Sequence, residues 1–362
     1  HEVSSTIGIP MAELRLVGSS VSPYTRKVRA LLRYRRIPYQ FLRAGGLESE
    51  ALPPAPLPLI PYVVLPDQSG ELTEVMADTT PIINRLEDDY PERAVRPMDP
   101  ALAVIDALLE EFGDEWLAKC MFHFRWSKPA DTQISSSYLA YAMNMTAAPE
   151  QGEAFAKMFA ERQISRIGVV GSNETTGSLI EESWERYLDV FDRHLQNQPF
   201  FLGNRPGAGD YGCFGQMTML VLTDPTPQAV SRRISPRAFA WTEAMEDHSG
   251  LEVDDADWIN LDSPPETLNE LLCEVGRLFV PFMVENAKAV ASGEEMLECE
   301  LDGRPWVQEA FVYQAKCLTW LKQRYDHLGE MDKARLDNVL SGTGCDALFA
   351  NKGDKDEKRH SQ

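Results

Sequence analysis

Residues 13–34 read ELRLVGSSVSPYTRKVRALLRY, and the apolar pattern changes its period at Ser22. Leu14 and Leu16 alternate with charged neighbours, the period of two that marks a short half-buried strand. Ser22 and Pro23 give the cap and first-turn signature of a helix. Tyr24, Val28, Leu31 and Leu32 then keep the i, i+4, i+7, i+8 spacing of one apolar stripe. Tyr39 to Leu42 forms a second strand. A proline-rich loop, PPAPLPLIP, leads into the apolar run Ile60 to Leu65; PDQSG is a turn and ELTEV its hairpin partner. Asp78 or Thr79 caps a further helix in DTTPIINRLEDDY, which Pro91 ends. The first two strands are joined by a helix and the last two by a tight turn, so this is a small α/β unit with a mixed sheet.

From about Asp99 strand signals nearly vanish, and amphipathic segments at 100–126, 150–168, 178–196, 209–223 and 236–247 predict an all-helical unit closing near Gly250. A helical stretch over 264–290 is followed by EMLECEL, Asp302-Gly303 and RPWVQEAF. Asp-Gly between alternating runs is a favoured hairpin turn, and 309–328 reads as a final helix. The expected divisions are a leader at 1–12, an α/β domain at 13–92, a helical domain at 99–250, an α+β extension at 251–350 and a polar tail at 351–362.

Composition bounds the function. A chain of 362 residues, 43% apolar and 25% charged, is long enough to bury a full core. Its 35 basic against 56 acidic residues give a net charge of −21, which argues against nucleic-acid and anionic-membrane partners. The charge is unevenly placed: Glu13–Arg43 carries +7 and Glu243–Asp302 carries −15. The six cysteines include no CxxC pair and no close histidine at metal-ligand spacing, so free thiols in a reducing compartment, with no metal, are expected. No apolar run reaches the ~18–20 residues of a membrane span, and the expected location is the cytoplasm.

Three places could carry chemistry. Ser22-Pro23-Tyr24 sits at a helix N-terminus, where free amides and the dipole stabilise an anion, and Arg26, Lys27 and Arg29 add positive charge; Ser22 is either a plain N-cap or a group that holds a thiolate. Ile60-Pro61 enters the most apolar strand. It is either an ordinary edge proline or a cis bond that turns the Ile60 backbone toward a ligand. Asp78-Thr79 is either a helix cap or a pair that binds α-amino and α-carboxylate groups.

The order of elements and these sites resemble the glutathione S-transferase family. The resemblance implies a thioredoxin-like N-terminal domain followed by an all-α domain, here with the α+β extension. Ser22 in SSVSPYTRKVR looks like the family's catalytic Ser or Cys, Pro61 in PLIPYVVL like its cis-proline, with Ile60 pairing the cysteinyl backbone of glutathione. Asp78-Thr79 in MADTTPIINRLE resembles the pair that holds the γ-glutamyl end. PGAGDYGCFGQ resembles the capping motif of the family's buried helix, with Asp210 as its structural acid. No cysteine stands in the Ser-Pro motif, so thiol–disulfide exchange is not expected, and only Arg43 lies near where a glycine-carboxylate anchor belongs. The helix EEFGDEWLAKCMFHFRW stands where the family lines its second-substrate pocket, which here implies Tyr24, Trp116, Cys120 and His123. The implied activity is conjugation of glutathione, as co-substrate, to a hydrophobic small-molecule electrophile by a homodimer. The alternatives are a non-catalytic binding or interaction module of the same fold, or a glutathione-dependent lyase, dehalogenase or peroxidase.

Overall fold

The computed structural model describes residues 13–349; the leader and tail readings lie outside the described residues. The first unit runs β1 (Leu14–Gly18), α1 (Pro23–Tyr34), β2 (Tyr39–Arg43), a single turn α2 (Leu47–Glu50), β3 (Tyr62–Pro66), β4 (Leu72–Ala77) and α3 (Thr79–Asp89). The sheet order is β2-β1-β3-β4, with β1 and β2 parallel and β3 antiparallel to both β1 and β4. This is the thioredoxin-like arrangement. The crossover α1 begins where Ser22 Oγ accepts the Thr25 N–H at 3.3 Å, and it buries Val28, Leu31 and Leu32 against the sheet.

The helical part runs α4 (Pro100–Glu111), one π-helical turn (Phe112–Leu117), α5 (Ala118–Ser127), α6 (Pro129–Met143), α7 (Pro149–Ser165), α8 (Gly177–His194), α9 (Ala208–Leu220), α10 (Pro225–Ile234) and α11 (Pro236–Ala244). Helices α6 and α10 go beyond the segments that sequence spacing marks, as does a helix over Glu330–Leu340, which follows the stretch 309–328 that reads as the final helix. In α6 the large apolar residues Ile134, Tyr138 and Met143 face outward, so no inward stripe announces it. In α10 two prolines, Pro225 and Pro227, occupy the first turn, where they are tolerated but read as loop. The extension follows as α12 (Glu266–Ser292), β5 (Met296–Leu301), β6 (Arg304–Glu309), α13 (Val312–Asp326) and α14 (Glu330–Leu340). Asp302 and Gly303 turn the β5–β6 hairpin with φ of 52° and 70°, the pair of left-handed conformations a two-residue turn requires.

Helix α9 is the centre of the packing. Asp210 caps it from within, its carboxylate accepting the N–H groups of Gly207 at 2.9 Å and Phe201 at 3.0 Å. Glycines let it approach its neighbours to backbone distance. A Cβ on Gly113 in the π turn would stand 2.4 Å from the Cys213 nitrogen, and one on Gly212 would stand 2.8 Å from the Glu110 carbonyl oxygen. One buried apolar cluster runs from Leu14 to Leu348, so the extension shares the core. No helix among the described residues is long and apolar enough to cross a membrane. Gly113→Ala forces the π turn off α9, because the obstructing atoms are backbone. We expect about 2–3 kcal/mol of destabilisation in denaturant unfolding, against a much smaller effect for Gly168→Ala, where space is open.

Candidate functional site

The site is organised around a buried lysine. Lys27 projects from α1, fully buried, and its ammonium donates to Glu110 Oε1 at 2.8 Å, Asp114 Oδ2 at 2.5 Å and Thr79 Oγ1 at 3.0 Å. Burial alone would lower the Lys27 pKa, but Asp114 and Glu110 outweigh it and hold the amine charged. Glu110 also accepts from Arg96, which bonds Asp106 at 2.9 Å. Burial would raise its pKa, yet Arg96 and Lys27 pull it down to about 2. The α1 face, the start of α3 and the long helix are thereby fixed to one another through charge-assisted bonds.

Beside this bridge lies a cavity of about 450 Å³. One side is formed by Tyr24, Leu59, Ile60, Pro61, Asp78 and Thr79 of the first unit, the second by Glu111, Asp114, Glu115 and Lys119 of the long helix, and the third by Tyr313, Gln314 and Lys316 of α13. The Ile60–Pro61 bond is cis, and Ile60 precedes Tyr62, where pairing with β1 and β4 begins. Asp78 takes a φ of 77°, and its Oδ2 accepts the Tyr313 hydroxyl at 2.9 Å. The Tyr24 hydroxyl donates to the Asp114 carbonyl oxygen at 2.8 Å; burial, then Glu115 and Asp114, push its pKa far up, so it stays a neutral phenol. Ser22 is half-buried and is not among the cavity-lining residues; its oxygen is an acceptor for Thr25, and no bond donated by its hydroxyl is seen among the described residues.

The structure thus brings Tyr24, Ile60, Pro61, Asp78 and Thr79 together, with Ser22 at the α1 terminus. It corrects three expected pocket residues. Trp116 is 2% exposed, stacks 5.6 Å from Trp306 and donates to Ser183 Oγ at 3.1 Å. Cys120 is fully buried and its pKa is pushed up to about 12 by burial. His123 bonds Ser172 Oγ at 2.7 Å and Glu181 Oε1 at 3.0 Å. All three face the core because α8 and the extension cover that side of the helix. The opposite side, with Glu111, Asp114, Glu115 and Lys119, faces the cavity instead. The available signal was the four acids of LLEEFGDEWLAK inside an otherwise apolar helix. Tyr313, Gln314 and Lys316 had no local signal.

A second cavity, of about 690 Å³, lies between α3, α4 and α13, lined by Asn84, Arg96, Glu110, Glu111 and Arg324 among others. It includes none of Ser22, Tyr24, Ile60, Pro61, Asp78 and Thr79.

Residues 16–94 match the family model described as glutathione S-transferase, N-terminal domain. Among solved structures, the chain is similar to a glutathione S-transferase from Methylobacterium radiotolerans in complex with glutathione sulfonate (17% identity, 67% of this chain and 99% of that one, TM-score 0.33). It is also similar to a glutathione transferase family member from Pseudomonas fluorescens with two glutathione bound (14%, 66% and 89%, 0.40). A third is a Tau class glutathione S-transferase from mango, Mangifera indica (18%, 72% and 96%, 0.38). No curated protein matches the sequence.

Two expectations follow from the geometry. Lys27→Met keeps the length of the side chain but strands Asp114 and leaves Glu110 with Arg96 alone, and should destabilise the protein by about 3–5 kcal/mol in denaturant unfolding. His123 titrates lower in the folded protein than its ordinary value of 6.5, because burial outweighs the upward pull of Glu181. The unfolded chain therefore binds its proton first as pH falls, and stability present above about 6.5 is lost on acidification. The melting-temperature difference between the wild type and His123→Gln should move in the variant's favour between about pH 7.5 and 5.5, while Glu115 and Asp210, raised to about 7 and about 8 by burial, act with the opposite sign equally in both.

Proposed function

We propose, for a chain whose residues 16–94 match the N-terminal domain of glutathione S-transferases, that the cavity between that domain, the long helix and α13 binds glutathione and presents its sulfur to an electrophilic small molecule. The observation that carries this reading is the convergence of Ile60 and of the adjacent Asp78 and Thr79, from two places in the chain, on one wall of one cavity. Each has a bonding capacity still open for the tripeptide. Ile60 lies outside the strand ladder. Thr79 Oγ1 accepts from Lys27, which leaves its proton for an α-carboxylate. Asp78 uses Oδ2 for Tyr313 and keeps Oδ1 for an α-ammonium. Lys316, exposed at the margin and 4.6 Å over the Trp320 ring, offers a cation for the glycine carboxylate.

Ser22 is assigned the donor to the sulfur. Its oxygen is oriented by the Thr25 amide, so the hydroxyl proton is aimed by the same bond that caps the helix. The helix N-terminus adds to the stabilisation of a thiolate. Tyr24 is a poorer donor because its proton is engaged by Asp114. The thiolate attacks the electrophilic carbon, and the serine does not itself become a nucleophile.

A second reading, a binding module without catalysis, is favoured by one observation: Glu111, Asp114 and Glu115 line the same cavity and oppose an anionic ligand. The two readings are separated by calorimetric titration with glutathione and by turnover with an activated aryl halide. Ser22→Ala should lower kcat/KM by about 10²-fold while leaving glutathione affinity nearly unchanged. Unchanged turnover would remove Ser22 from the mechanism, and no binding at millimolar glutathione would leave the second reading standing.

A further inference from the structure

Two carboxylates that line the cavity meet a thiol behind its wall, none of the three being among the residues assigned to glutathione. Glu111 and Glu115 lie one turn apart on the long helix, and Cys317 comes from α13; a ligand atom of each lies within 4.8 Å of the other two. All three are buried, with exposures of 4%, 9% and 1%. Their separation of some 200 positions in sequence hides the set from any spacing rule.

A second observation points to a missing cation. Gln314, 3% exposed and one turn before Cys317, donates its amide nitrogen to Glu115 Oε2 at 2.7 Å, while its Oε1 is buried with no partner. The two terminal atoms of an amide are about 2.3 Å apart, so this free oxygen lies within about 5 Å of the Glu115 carboxylate. Asp114 Oδ1, in the adjoining wall, is also buried without a partner. The set holds acceptors and no positive charge. Lys27 is engaged by Glu110 and Asp114; Lys119, one turn after Glu115, bonds Gln308 Oε1 at 2.8 Å and lies 4.2 Å over Phe282, and its single charge acts on Glu115 without balancing both Glu111 and Glu115. Carboxylates buried without a counter-charge cost several kcal/mol unless neutralised. Protons on Glu111 and Glu115 would neutralise them one carboxylate at a time, whereas a cation offers both carboxylates, the sulfur and the Gln314 oxygen a single partner. A metal ion meets both needs.

We propose that Glu111, Glu115 and Cys317 bind a divalent d-block cation of the zinc class, with Gln314 Oε1 as the fourth donor. One sulfur with oxygens suits Zn²⁺ or Co²⁺ and disfavours Ca²⁺ and Mg²⁺, which take oxygen alone. The donors must draw in from as far as 4.8 Å to about 3.5 Å, a change within reach of side-chain rotation. Glu111, Glu115 and Gln314 line the cavity, which gives the ion a path.

The probe is Co²⁺ added to the metal-stripped full chain without glutathione, so the outcome is independent of the glutathione reading. One equivalent should produce a thiolate-to-cobalt charge-transfer band and tetrahedral d–d bands, both abolished by Zn²⁺. The charge-transfer band should vanish in Cys317→Ser and persist in Cys273→Ser, the exposed thiol serving as control. Glu111→Gln should weaken binding about 10–100-fold, with folding of each variant checked by circular dichroism. Should Cys317→Ser not fold, the Glu111→Gln affinity decides alone. No charge-transfer band in the wild type, a band retained in folded Cys317→Ser, or unchanged affinity in Glu111→Gln would overturn the proposal.

Discussion

A lysine ammonium removed from water is the constraint on which the rest depends. Lys27 has no exposed surface, and among the described residues its charge is held by Glu110, Asp114 and the Thr79 hydroxyl. Such a pair contributes little net stability against an apolar replacement, but its geometry is demanding, since a lost partner leaves an unpaired buried charge. Lys27 therefore fixes register. It sets the rotation of the long helix against α1 and places Thr79, and with it the start of α3, at the wall of the cavity. Arg96 holds Glu110 from the other side, so the bridge continues to Asp106, whose Oδ1 accepts the Gly209 amide of α9 at 2.9 Å.

The π turn at Phe112–Leu117 belongs to the same constraint. Gly113 meets the α9 backbone closer than any side chain would allow, and the locally widened helix accommodates both this contact and the turning of Asp114 toward Lys27. Such turns recur at functional sites. Here it divides the helix into an acidic face on the cavity and an aromatic face on the core. The extension completes both: Trp306 and Phe282 cover Trp116, while Tyr313 reaches Asp78. It is at once a layer of the core and a wall of the site.

Local signals carried most of the first unit. The alternation at Leu14–Leu16, the Ser22 cap, the turn at PDQSG and the Asp302-Gly303 hairpin are each dictated by residues within a few positions, and each has its element in the structure. The residues proposed to hold glutathione were legible for the same reason, since each is marked by a proline or a cap. Trp116, Cys120 and His123 were misplaced because which side of an amphipathic helix is core depends on what covers it, and the cover comes from α8 and Ser172 just before it, about 50–70 positions on, and from Phe282 and Trp306 of the extension. Lys27 was read with Arg26 and Arg29 as positive charge at the α1 N-terminus; its partners Glu110 and Asp114 make it a structural bridge instead. The −15 segment also proved to have specific uses. Glu246 holds Arg29 at 2.7 Å and Arg33 at 2.9 Å, so part of that acidity neutralises the basic helix rather than facing solvent.

The account places one ligand across a junction that the Lys27 bridge holds in register. Electron density from a crystal of the full chain grown with glutathione tests it directly. The prediction is a tripeptide with its cysteinyl backbone beside Ile60, its γ-glutamyl end on Asp78 and Thr79, and its sulfur toward Ser22. A tripeptide lodged instead in the cavity lined by Arg96 and Arg324, or turned so that its sulfur lies away from the α1 N-terminus, would contradict it.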